Sequence, residues 1–216
     1  MWGITFLSVF ILDRLCLRYI KNARWFALHG IINFINMICA SSALVHALQY
    51  PIDLEIDANI SSLSINSRHC KWPMLFTLIL HIYHILFFPL RWEDIFHHLL
   101  FVPFLISNTS YETKNLTIFF GSGLPGMLTY IAMVCKRYKL ITPQREKYIS
   151  FLQNLLFRTP GLLFTSFSVF YSYLYAHYRG EKLPVGIYYI FFISLLAIIN
   201  ALYYLQQITG SFYLKT

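Results

Sequence analysis

Charge is what this sequence has least of. Only 12% of its residues are charged, about half the share of a soluble domain, and nine acids among 216 residues cannot solvate a globular surface. A soluble enzyme of this size is therefore excluded. Pro-, Gly- or Ser-rich linkers, low-complexity stretches and internal repeats are also missing, which leaves one domain over residues 1–216. The four cysteines, Cys16, Cys39, Cys70 and Cys135, show no CxxC spacing and lie mostly in or beside apolar runs. That pattern argues against a disulfide framework and against a structural zinc site.

In place of charge there is apolar length. Hydrophobic residues make up 57% and aromatics 19% of the chain, with a mean hydropathy of +0.56. Apolar runs at 1–17, 25–49, 72–89, 94–110, 116–135, 150–177 and 185–208 predict an all-α polytopic membrane protein of seven transmembrane helices, or six if the first does not span. Asp13 and Arg14 interrupt that first run, and it spans only with those charges snorkelling at one face. It lacks a basic leader and a small-residue cleavage site, so an uncleaved anchor is expected. In the fifth run, the segment from Gly121 to Gly126, with Pro125 inside it, predicts a helix kinked or broken at mid-membrane, its small residues serving close helix packing or, as the alternative, a direct ligand role.

The basic excess, 17 Lys and Arg for a net charge of +8, is read as loop charge that sets orientation, and a nucleic-acid partner is not expected. Connections after the first, third and fifth runs, with the C-terminal tail, hold eleven of these cations, whereas the alternate connections hold five. The positive-inside rule then places the richer side, and the C-terminus, in the cytosol. Three Asn-x-Ser/Thr sequons, at Asn59, Asn108 and Asn115, all fall on the poorer side. They point to a lumen-bearing membrane such as the endoplasmic reticulum, with Asn59 the expected acceptor.

Ionisable residues inside apolar runs are costly, and each is a candidate for function. Counting 1.5 Å of rise per residue from the cytosolic face brings His29, Asn33 and Asn36 of the second run to one depth with His81, Tyr83 and His84 of the third. Asp94, His97 and His98 of the fourth join them, as do Thr129 and Tyr130 of the fifth, Arg158 of the sixth and Asn200 of the last. The layer supplies candidate ligand-binding residues His29, His84, Tyr130, Arg158 and Asn200. Its candidate catalytic group is Asp94, His97 and His98, because a carboxylate three or four residues before an imidazole shares its helix face and raises its basicity. A cap by Asp94 and a helix-to-helix hydrogen bond from His97 is the structural alternative. Arg158 cannot shed its charge and needs an anion, either Asp94 or the phosphate of a lipid or acyl carrier.

The run from Arg24-Trp25-Phe26-Ala27-Leu28-His29, together with Arg91-Trp92-Glu93-Asp94-Ile95-Phe96-His97-His98, resembles the TLC family. That family includes translocating-chain-associating membrane proteins, ceramide synthases and smaller lipid-related proteins. The resemblance implies a ring of helices around a lipid-accessible cavity, with His97 and His98 facing it. In ceramide synthases the matching pair serves acyl transfer from cytosolic acyl-CoA. Here Phe101 replaces the Thr of that pattern, and the acids after Asp94 are Glu112, Glu146 and Glu181, all expected in loops, in place of later paired aspartates, so the resemblance points to the smaller members, which are linked to membrane lipid composition or trafficking.

The leading expectation is a lipid-binding or lipid-sensing protein without a cofactor. The second is an acyltransferase taking acyl-CoA as co-substrate, with Asp94 orienting His97 or His98. A structural subunit with membrane-protein partners is the third. A di-iron hydroxylase ranks last, because only five of the eight histidines lie on one side and its three histidine boxes need about eight; no metal is expected.

Overall fold

Ser110 and Thr142 each start a helix by capping it. Ser110 Oγ accepts from the Thr113 N–H and Thr142 Oγ1 from the Arg145 N–H, both at 3.2 Å, satisfying donors that a first turn leaves open. Pro143 follows at the first helical position, where no N–H is needed. Glu112 and Glu146 occupy these first turns, near the positive end of the helix dipole.

The computed structural model describes residues 1–90, 92–181, 183 and 185–213, with the side chains of 93, 94, 96, 97, 100 and 101 outside the description. The described chain is all-helical: α1 (Trp2–Tyr19), α2 (Arg24–Gln49), α3 (Trp72–Phe87), α4 (Trp92–Ile106), α5 (Tyr111–Ile118), α6 (Leu124–Arg137), α7 (Pro143–Gln153), α8 (Thr159–Tyr178) and α9 (Ile187–Tyr213). Two π turns, Phe119–Gly123 and Asn154–Arg158, join α5 to α6 and α7 to α8 without interrupting either rod. The break expected at Gly121–Gly126 is thus absorbed as one widened turn, and both rods begin earlier than their apolar runs, because a capped polar turn precedes each.

Among the described residues, three helical stretches are long and apolar enough to cross a membrane, Lys21–Gln49, Tyr111–Arg137 and Ile187–Tyr213. Helix α3, at 16 residues, rises about 24 Å, short of a bilayer core of about 30 Å. Helix α1 carries Asp13, Arg14 and Arg18 and owes its place to packing against α2 and α3. The outer surface is apolar, with Leu86, Leu99, Ile106, Phe167, Phe191 and Leu202 all more than half exposed. A water-soluble protein does not present so broad an apolar face.

Neighbour contacts close a ring in the order α2, α3, α4, α9, the α7–α8 rod and α6, back to α2. Small residues let the members approach. A Cβ at Gly126 would lie 2.5 Å from Asn33 Nδ2 of α2, and one at Gly161 would strike the Phe120 ring. This is the close-packing reading of the glycine cluster.

Two expectations are corrected here. Asp13 does not snorkel: it is fully buried and accepts from Arg24 Nε at 2.6 Å, from Arg24 Nη2 and from the Tyr83 hydroxyl at 2.7 Å. Tyr83 therefore faces α1 and not the polar layer. Glu112 and Glu146 are not loop acids: Glu146 pairs with Lys136 at 2.5 Å, and Glu112 meets His46 at 2.6 Å, Arg68 at 3.8 Å and the Glu55 N–H at 2.8 Å. Each had its partner beyond the reach of local sequence.

Candidate functional site

Among the described residues, four imidazoles from three helices meet inside the ring. His29 of α2, His81 and His84 of α3 and His98 of α4 line a cavity of about 310 Å³, with Tyr130 of α6, Arg158 of the second π turn, and Tyr203 and Tyr204 of α9. The volume lies in the range of small-ligand sites. Ring centroids form a chain, with His29 6.0 Å from His84, His84 5.3 Å from His98, and His98 4.8 Å from His81.

Local helix geometry orients two of these rings. His29 Nδ1 lies 3.1 Å from the Trp25 carbonyl and His81 Nδ1 lies 2.7 Å from the Thr77 carbonyl, each one turn back. A carbonyl only accepts, so Nδ1 carries the proton and, in the neutral ring, Nε2 is the acceptor nitrogen. Trp25 packs on His84, with centroids 3.9 Å apart, and Tyr130 on His29 at 4.7 Å. These aromatic contacts hold the rings in place.

Arg158 is nine-tenths buried. Its Nη1 donates to Asn154 Oδ1 at 3.0 Å, and its guanidinium carbon lies 4.9 Å from the centre of the Tyr204 ring, within cation–π range.

Of the predicted site residues, His29, His84, His98, Tyr130 and Arg158 line this one cavity. Asn33 and Thr129 line it too, whereas Asn200, although buried, does not. Asn36 turns away to donate to Thr77 Oγ1 at 2.9 Å. The side chains of Asp94 and His97 lie outside the described residues. Trp25, Tyr203, Tyr204 and Gln207 were missed. The last two stand at i and i+3 on α9 and share a helix face, but in a chain with 16 tyrosines such spacing is no distinguishing signal.

No family model, curated protein or solved structure matches this chain. The TLC resemblance accordingly rests on the sequence motifs alone. Among the described residues, no group of three or more His, Cys, Asp or Glu is arranged to hold a metal ion.

A second cavity, of about 420 Å³, lies at the other end and is lined by Asp53, Glu55, Asp57, Arg68, Arg179 and Glu181, among others. Its charges are largely committed. Arg179 pairs with Asp53 at 3.3 Å and Glu181 at 2.7 Å, and Glu55 Oε1 accepts from the Ile56 and Asp57 N–H groups. At the same end Asn115 is fully buried and donates to the Arg68 and Cys70 carbonyls, which removes it as a glycan acceptor.

Proposed function

We propose that this is a TLC-like integral membrane protein of the endoplasmic reticulum or a related membrane, crossing the bilayer seven times with its C-terminus cytosolic. Its ring of helices binds or senses a lipid and so influences membrane lipid composition or trafficking. The observation that carries this reading is the histidine-lined cavity inside an apolar-surfaced ring. Lipid enters such a ring from the bilayer, its tail meets Trp25, Phe26 and Ile208, and its head meets imidazole and phenol groups. The partners on this reading are membrane lipids. No cofactor is part of it.

A second reading, acyl transfer with acyl-CoA as co-substrate, is favoured by the standing of His98 between His81 and His84. There an imidazole is positioned to take a proton from an amine or hydroxyl acceptor, with Asp94 and His97 as its proposed companions.

The test is native mass spectrometry with lipidomics on protein extracted in mild detergent, wild type against a His97→Ala, His98→Ala double variant. One lipid class or acyl-CoA retained by the wild type alone is expected. Identical, nonselective lipid profiles would sink the ligand-site reading.

A further inference from the structure

Arg158 puts a full positive charge on the wall of the cavity, and the protein does little there to balance it. Its side chain is nine-tenths buried, yet no ion pair joins it to an acid among the described residues. The Asn154 amide oxygen and the Tyr204 ring are neutral partners, and Nε has no hydrogen-bond partner at all. A guanidinium cannot neutralise itself by losing a proton. A desolvated cation held only by dipoles is destabilising until an anion reaches it.

Among the described residues, the acids of α1 and α7 are already paired, and the Asp94 side chain lies outside that description. Asp13 belongs to Arg24 and Tyr83, and Glu146 belongs to Lys136 and Ser150. The described side chains on the cavity wall include no carboxylate. The remaining surface joins apolar groups that suit a hydrocarbon tail to imidazole and phenol groups that suit oxygen.

We propose that the cavity selects an anionic amphiphile, an acyl-chain molecule bearing a carboxylate or a phosphate whose charge docks on the Arg158 guanidinium. This rests on the lipid-cavity reading above and adds the sign of the headgroup. The guanidinium lines the cavity, and its planar fork suits two oxygens of one head, a geometry that carboxylate and phosphate share and that alcohols and esters lack.

Trp25 lines the same cavity and serves as the reporter. The full-length chain carrying Trp2→Phe, Trp72→Phe and Trp92→Phe leaves Trp25 as its one indole, and bromine quenches indole fluorescence on contact. Four probes are titrated in detergent: dibromostearate, its methyl ester, dibrominated phosphatidic acid and the matching diacylglycerol. The anion of at least one pair is expected to quench about tenfold more tightly than its neutral partner, as befits a charge-assisted contact. The pair that shows the preference separates a carboxylate from a phosphate head. Arg158→Gln should bring the two midpoints of that pair together without shifting the neutral one, and Arg158→Lys should fall between.

Equal midpoints within both pairs while Arg158 is intact would overturn the proposal, and would mean that the protein supplies its own counter-ion. That comparison needs no change at Arg158, so a misfolded variant there does not decide it. Quenching by none of the four probes would overturn the lipid-cavity reading itself.

Discussion

Asp13 shows how a single residue can be misread when its partners lie far along the chain. Apolar periodicity puts a carboxylate near the end of a helix, where snorkelling is the natural inference. The structure instead buries it between Arg24, 11 residues away, and Tyr83, 70 residues away. Tyr83→Phe removes a hydrogen bond to a charged acceptor while keeping the ring, and should destabilise the protein by about 1.5–3 kcal/mol. A lowered melting midpoint in detergent is the expected readout, and an unchanged one would mean that the Arg24 fork satisfies Asp13 alone. The histidines were legible for the opposite reason. A polar group at a given depth in lipid must find company at the same depth, so His29, His84 and His98 could be grouped by counting residues. Trp25 and Tyr204 could not, because depth says nothing about which aromatic faces inward.

At the scale of elements, composition announced a disturbance at Gly121–Gly126 but not its form. A helix in lipid that loses hydrogen bonds must regain them, and a π turn does so by widening one turn instead of breaking the rod. Both π turns border the cavity, supplying Gly121, Ser122 and Arg158 to its wall. They also meet each other, since Gly161 just after the second leaves room for Phe120 in the first. Gly161→Ala drives a methyl into that ring and should destabilise the protein by about 1–3 kcal/mol. Gly210→Ala is the matched control within α9, because nothing lies within 4 Å of its added Cβ, and helix propensity there favours alanine by about 1 kcal/mol. If both substitutions move the melting midpoint alike, the approach of the two π turns contributes nothing.

At the scale of the whole molecule, the helix ends sort the connections into two groups before any membrane is considered. Arg137 donates to the Asn22 carbonyl at one end. At the other, Arg179 reaches Asp53, Asn108 reaches Tyr189, and His46 and Arg68 meet Glu112. The proposed cytosolic placement of the first group rests on loop charge alone, and the sequons test it independently. Asn59 is exposed in the loop between α2 and α3, held only by a short-range contact to Asp57, whereas Asn115 is sealed inside. Glycosidase digestion of the protein from a eukaryotic membrane should therefore shift its mobility, Asn59→Gln should abolish the shift, and Asn115→Gln should leave it intact. A protein that never carries a glycan at Asn59 would count against a lumenal loop and hence against the proposed orientation. The same preparation decides the number of crossings, because α1 packs on α2 and α3 through Asp13 whether or not it spans. Seven crossings put the two termini on opposite faces, so an engineered sequon ahead of Met1 should be glycosylated while one after Thr216 is not. If neither is glycosylated although Asn59 is, α1 lies at the cytosolic edge, its charges are anchored there, and the ring alone crosses the membrane.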